Sequence, residues 1–336
     1  MGCRTLQDGL EKYRSKETSL KCEGRAELSV VVTSYTNERL SDLFDLLESG
    51  KTQTHSVEFV VVVERDVLLR DRLLDYLNRS ELNWSMIFSK HRQGISNSRN
   101  LGARNSTGAL IGFVDDDAVL FPDWAEQAIG AMKRHEDAIG ITGRVYPMWS
   151  NQSLKWFPHS LYWLIGCSDW RSPRTEEYTD FISGVNMIFR RQAFQYTQFT
   201  DKFTDGAQEE GKMGLPNEDN DYAVRLGRIS GLKLLYNPRL NVYHKVAPFK
   251  VTNRYIRRYS FWQGMAEARY GSGLDVWNRG PSRRAFLSTF IKDILSSFKA
   301  DAKKRFNALG LFVSFASLGY VGYYSQSLRK RIIERI

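Results

Sequence analysis

A chain of 336 residues can bury one large core, or a core domain plus an extension. With 42% hydrophobic and 26% charged residues it has the balance of a folded chain, which excludes the disordered and fibrous classes. A net charge of +10 points to an anionic partner, and nucleic acid, anionic lipid and a phosphorylated substrate all remain open at this level.

The first 27 residues are polar and lack an apolar signal core, and Leu6 does not suit myristoylation of Gly2. Cys3, Cys22 and Cys167 form no CxxC pair and no disulfide framework, as expected in a reducing compartment. From Leu28 the chain alternates strand and helix. LSVVVTSY is a β-branched run typical of a parallel strand buried on both faces. NERLSDLFDLLES follows as an amphipathic helix, with Leu40, Leu43, Phe44 and Leu47 on one face. VEFVVVVE, DVLLRDRLLDYLNR, WSMIFSK, ISNSRNLGARNS and ALIGFVDDD continue strand, helix, strand, helix, strand. This alternation predicts a doubly wound α/β domain, in which ligands collect at the carboxyl ends of the strands. Thr33–Tyr35, Glu64–Asp66, Arg92–Gly94 and Asp115–Asp117 all fall there.

After Trp124 the pattern loosens. AIGITGRVYPM reads as a strand, and FISGVNMIFRRQAF as a strand entering a helix. WFPHSLYWLIGCSDW is rich in aromatics and of no clear type. KFTDGAQEEGKMGLPN has the composition of a loop. EDNDYAVRLGRISG predicts a helix with acids in its first turn and Tyr222, Leu226 and Ile229 on one side. GLKLLYNPRLNVYHKV reads as two short strands around Asn237–Pro238.

Three consecutive aspartates at the end of an apolar strand repel one another, so something must offset them. Asp115 and Asp117 point to the same side of an extended chain, and two hard carboxylates there suit Mg²⁺ or Mn²⁺. The alternative is a solvated acidic turn before the helix at Pro122.

VVVTSYTNE, a strand ending in an acid, GISNSRNLGARNSTG, FVDDD, SGVN, NED and VYH follow one another in this chain from about Leu28 to about Lys245. Their order resembles that of the inverting family 2 glycosyltransferases. The resemblance implies the GT-A nucleotide-diphospho-sugar transferase fold, an α/β domain with a mostly parallel central sheet, and assigns roles to residues. Thr33, Tyr35 and Glu38 would line the nucleoside pocket, and Glu64 would read the base, where family members commonly carry Asp. Arg99 and Asn100 would face ribose and diphosphate, although a helix arginine can equally be a solvated charge. Asp115 and Asp116 would serve the donor, while Asp117, with Asp115 and His244, would hold the metal that neutralises the departing diphosphate. A lone histidine can instead be structural.

Direct displacement at an anomeric carbon also needs an activated acceptor hydroxyl. The family places that base at the second acid of its ED pair, here Asp219, with Glu218 as a positioning group. A helix N-terminus would keep this carboxylate ionised, although the pair could do no more than cap the helix. Gly184 and Asn186 match the acceptor-side loop.

PSRRAFLSTFIKDILSSFKADAKKRF has an apolar stripe and basic ends, and ALGLFVSFASLGYVGYY is uncharged. This tail predicts attachment to an anionic membrane surface, with a helical hairpin packed on the domain as the alternative. The expected organisation is a polar extension 1–27, a catalytic domain 28–250 and a helical C-terminal region 251–336. Resemblance to archaeal enzymes that extend dolichyl-phosphate sugars, including hexuronosyltransferases, implies a UDP-sugar donor and a lipid-linked glycan acceptor. It also implies work at the cytoplasmic face of the membrane. A soluble or surface-polysaccharide acceptor is the alternative. The processive QxxRW signature is absent, since GMAEA follows Gln263. A dinucleotide oxidoreductase is disfavoured, because TSYTNE stands where GxGxxG would open the first helix. A nucleic-acid-binding protein would leave the acidic strand ends unexplained, and none is expected as partner.

Overall fold

The computed structural model describes residues 17–21, 26–91, 93–168, 172–201 and 217–270, together with 288, 291–293 and 310. In chain order the elements are β1 (Glu17–Lys21), β2 (Leu28–Ser34), α1 (Leu40–Lys51), β3 (Val57–Glu64), α2 (Val67–Arg79), β4 (Asn83–Ser89) and α3 (Ile95–Asn105). There follow β5 (Leu110–Val114), β6 (Ala118–Leu120), α4 (Trp124–Arg134), β7 (Ala138–Trp149), β8 (Glu177–Thr179) and β9 (Asn186–Arg190). The last are α5 (Ala193–Tyr196), α6 (Glu218–Ser230), β10 (Lys233–Val246) and α7 (Asn253–Tyr270).

One sheet runs β1-β4-β3-β2-β5-β9-β7-β10-β6, with β8 on β10. The β-branched runs predict buried strands, and they are buried. Successive residues feed opposite faces: Val30, Val32, Phe59, Val61 and Val63 pack with α1, α2 and α4. Val31, Val60 and Val62 pack with α3 and α6 on the other side. Two cores separated by one sheet require helices on both faces, which is the doubly wound arrangement.

The expectation of a mostly parallel sheet needs correction. Strands β4, β3, β2 and β5 are parallel, but β9 runs antiparallel to both β5 and β7. β10 is parallel to β7 and antiparallel to β6 and β8. The sheet is therefore mixed: β9 enters it reversed between β5 and β7, while β7 and β10 stay parallel across a long connection that includes α6.

β10 is also one strand where two were expected. Its pairing with β7 slips between Asn237 and Asn241, so the bulge absorbs Pro238 without ending the strand. On α6, Tyr222 and Leu226 are buried as expected, but Ile229, in the last turn of the helix, is 57% exposed. The aromatic stretch after Trp149 folds into 3₁₀ turns, Gln152–Trp156 and His159–Ile165. α7 opens the C-terminal region by packing on this core through Ile256. No helix among the described residues is long and apolar enough to cross a membrane. The proposed membrane tail and most of the loop KFTDGAQEEGKMGLPN lie outside the described residues.

The bulge depends on Gly143. A Cβ there would stand 1.9 Å from the Leu240 carbonyl oxygen, a backbone atom that cannot rotate away. We expect Gly143→Ala to destabilise the fold by about 3 kcal/mol or more in urea denaturation; an unchanged midpoint would show that the strands separate easily.

Candidate active site

β2, β3 and β5 deliver their carboxyl ends to one edge of the sheet, and β6 leaves that edge directly after the three aspartates. The antiparallel register of β6 with β10 sets His244 opposite Ala118. The Lys245 amide donates to the Asp117 carbonyl at 2.9 Å, which locks the two chains together there. Sheet pairing thus brings a residue from the end of the domain beside the acidic turn.

The aspartates are not a solvated turn, for Asp116 and Asp117 are buried. Each has its own partners. Asp115 faces Arg99, whose Nη2 is 3.5 Å from Oδ1. Asp116 accepts from Ser34 Oγ at 2.6 Å and from Arg39 Nη1 at 2.8 Å. Asp117 lies 3.4 Å from Arg39, 3.3 Å from Lys250 Nζ and 3.2 Å from His244 Nε2. Burial raises the pKa of Asp115 and Asp116 despite Arg99 and Arg39. Burial works to raise Asp117 too, but His244, Lys250 and Arg39 outweigh it and hold that carboxylate well below its ordinary range.

Asp115, Asp117 and His244 offer ligand atoms within 4.8 Å of one another. Asp117 Oδ1 is buried and has no hydrogen-bond partner among the described residues, a cost that a cation would remove. Two carboxylates and an imidazole, with one oxygen left unsatisfied, fit a divalent ion such as Mn²⁺ or Mg²⁺.

Arg99 connects this cluster to the acid pair. Its side chain is 4% exposed, so it is no solvated helix charge. Nη1 donates to Glu218 Oε1 at 2.8 Å, and Nη2 donates to the Gly184 carbonyl at 3.4 Å. The Gly184 amide donates to Asp219 Oδ2 at 2.7 Å, and a Cβ on Gly184 would meet that same oxygen at 2.8 Å. A side chain here would have to push the Asp219 carboxylate aside. Asp219 Oδ1 accepts from the Asn220 amide at 2.8 Å. The expected helix terminus is present, but burial and the adjacent Glu218 carboxylate outweigh it and Arg99, pushing the Asp219 pKa up to about 7.

Residues 29–197 match the family model described as Glycosyl transferase family 2. The chain belongs to glycosyl transferase family 2. This family 2 glycosyltransferase is 26% identical to a glucosyl-dolichyl phosphate glucuronosyltransferase of Haloferax volcanii, over 92% of its own length and 99% of the relative's. Its structure is similar to that of a mannosyltransferase, PcManGT from Pyrobaculum calidifontis, in complex with GDP-Man and Mn²⁺. The TM-score is 0.55 at 13% identity, covering 95% of this chain and 92% of that one. GalNAc-T7 with UDP, GalNAc and Mn²⁺ gives 0.51 at 14% identity, covering 81% and 58%. At these identities the likeness is one of fold, that of the GT-A glycosyltransferases.

The remaining sequence-derived residues of the enzyme divide into two groups. Thr33 lies near the end of β2, followed by Tyr35, half exposed, and Glu38, in the turn that Thr36 caps. Glu64 is buried and accepts from the Gln93 amide at 3.0 Å and from Ser98 Oγ, so it pins the start of α3. Asn100 and Asn186 need correction, because neither amide faces the cluster. Asn100 exchanges hydrogen bonds with the Phe199 backbone at 2.8 and 3.0 Å. Asn186 is wholly buried between Trp124 Nε1 and the Leu240 carbonyl. Both brace the walls. Sequence reasoning missed Arg39, Ser34 and Lys250; only the unbalanced charge of three aspartates signals that such partners must exist.

Removing Arg99 would strand Glu218 and Asp115 together. Breaking a buried pair costs roughly 3–5 kcal/mol, and a third of Asp115 lies in solvent, so Arg99→Met should destabilise by about 2–4 kcal/mol. Thermal unfolding checks this, and an unchanged midpoint would mean that the acids are held by other groups.

Proposed function

We propose that this glycosyltransferase is an inverting, metal-dependent enzyme. It moves a hexose or hexuronic acid from a nucleotide-diphosphate donor, with UDP as the nucleotide, to a hydroxyl of a polyprenyl- or dolichyl-phosphate-linked glycan. The observation that carries the reading is the bridge by Arg99. It touches Asp115 in the cation-holding trio and Glu218 in the acid pair, and through Gly184 it reaches the amide that binds Asp219. Donor-side and acceptor-side carboxylates thus share one buried guanidinium.

Asp115, Asp117 and His244 would hold the divalent ion, either Mn²⁺ or Mg²⁺. When bound, it supplies positive charge against the diphosphate as that group departs. Asp219 takes the proton of the acceptor hydroxyl, whose oxygen attacks the anomeric carbon as the bond to the diphosphate oxygen breaks. Attack from the opposite face inverts the sugar. A base titrating near neutrality suits this task, since it is both ionised and able to hold a proton. Arg99 fixes Glu218 and stops the two acids from separating. Thr33, Tyr35, Glu38 and Glu64 would frame the nucleoside, Asp116 would keep Arg39 at the donor's edge, and Gly184 would line the acceptor side.

The Haloferax volcanii relative, whose name specifies glucosyl-dolichyl phosphate and glucuronosyl transfer, supports the lipid-linked acceptor and the hexuronic acid. An acceptor embedded in lipid supports a place at the cytoplasmic face of an anionic membrane, with residues 251–336 as the attachment. The neighbours solved with GDP-Man or UDP and with Mn²⁺ support a nucleotide-linked donor and a divalent ion.

Asp219→Asn keeps size but cannot take a proton. It should lower turnover ~10²–10⁴-fold while UDP-sugar affinity is retained. Near-normal turnover, or loss of affinity along with activity, would remove Asp219 from the role. For the wild type, kcat/KM should fall about tenfold per pH unit below about 7 and level off above it, because protonation silences a base whose pKa burial has raised. A flat profile through pH 7 contradicts the assignment. Deleting residues 282–328 should release the protein from liposomes of anionic lipid; if full-length and truncated chains float alike, the tail is packing.

A further inference from the structure

Lys250 belongs to none of the motifs above. It sits on the short 3₁₀ turn Pro248–Val251 that follows β10. Its Nζ is 3.3 Å from Asp117 Oδ2 and 3.0 Å from His244 Nε2, so one ammonium touches two of the three proposed metal ligands. The side chain is only 12% exposed.

His244 Nε2 also lies 3.2 Å from Asp117 Oδ1. The imidazole, the carboxylate and the ammonium thus meet in one small space at the proposed cation site, and Lys250 places its positive charge against the Asp117 carboxylate there.

We infer that Lys250 is a built-in competitor of the divalent ion: its ammonium holds Asp117 and His244 in ligand geometry and is displaced when metal and diphosphate arrive together. The inference rests on the metal reading above. Arg39 and Arg99 also reach Asp117 and Asp115, but each makes its shorter bond, 2.8 Å, to Asp116 or Glu218, whereas Lys250 is an ammonium on a flexible four-carbon stem and touches both Asp117 and His244. Metal entering alone would push Lys250 from its counter-charges and leave it facing another cation. The donor's diphosphate gives the displaced ammonium a new anionic partner. Metal and nucleotide thus bind with positive coupling, and each must raise the affinity of the other equally.

The test measures Mn²⁺ binding to the full chain by electron paramagnetic resonance, with and without saturating UDP, in wild type and Lys250→Met. Wild type should bind Mn²⁺ roughly tenfold or more tightly with UDP than without. Lys250→Met, which keeps the stem and removes the charge, should bind Mn²⁺ alone roughly tenfold more tightly than wild type, with a smaller gain from UDP. Equal Mn²⁺ affinity of the two proteins without UDP, both with native circular dichroism, overturns the inference and leaves the metal site standing. Wild type that takes up no Mn²⁺ even with UDP overturns the metal site and the inference together. Should the Met variant lose its native spectrum, a wild-type structure with Mn²⁺ and UDP decides. Nζ moved out of reach of His244 Nε2 supports displacement, and Nζ still within hydrogen-bond distance refutes it.

Discussion

Three neighbouring carboxylates, two of them buried, end the central strand β5, and the arrangement around them follows from neutralising that charge. No single element could do so. Arg39 comes from the turn after β2, Arg99 from α3, His244 from β10 and Lys250 from the turn beyond it. The partners overlap, for Arg39 reaches both Asp116 and Asp117, so the positive charge is shared across the cluster. A buried charge that loses its partner is costly, which ties these distant segments to one arrangement.

The mixed sheet has a purpose in this light. β10 enters the sheet parallel to β7 after α6, and its other edge pairs with β6. Antiparallel pairing with the three-residue strand β6 lays His244 beside the aspartates, and the Lys245 amide bond to Asp117 fixes the register. On the other side, β9 runs antiparallel to β5 and places Gly184 just before its start, where its amide meets Asp219. The two reversals of direction therefore deliver the two halves of the site. Arg99 then joins them. Asp219 keeps a high proton affinity because burial and the adjacent Glu218 carboxylate outweigh two backbone amides, the Asn220 side-chain amide and a shared guanidinium.

Much of this was legible in the amino-acid sequence, for identifiable reasons. The β-branched runs of β2 and β3 must be buried on both faces, and the alternation with amphipathic helices dictates a doubly wound half. Asp115 and Asp117 were expected to share a side of an extended strand end, whereas β5 stops at Val114 and a turn closed by the Ala118 amide on the Asp115 carbonyl brings them together. The later half was harder to read because its strands pair antiparallel over long separations. Asn237–Pro238 looked like a strand end, whereas a bulge opposite Gly143 carries the strand through. Ile229 kept helical spacing but lies exposed in the last turn of α6. Asn100 and Asn186 were misplaced because an amide beside a motif can serve a wall as readily as a ligand. Arg39 and Lys250 carry no local pattern, and their pairing partners lie 77 and 133 residues away in sequence. Charge balance demanded such cations without saying where in the chain they would be.

The central claim is that the acidic strand end is a cation site facing a nucleotide diphosphate. An anomalous-difference map from crystals grown with Mn²⁺ and UDP tests it most directly. The account predicts one strong manganese peak within coordination distance of Asp117 and His244, with the UDP diphosphate on its open side. A manganese peak elsewhere, or UDP bound away from the ends of β2 and β5, would contradict it.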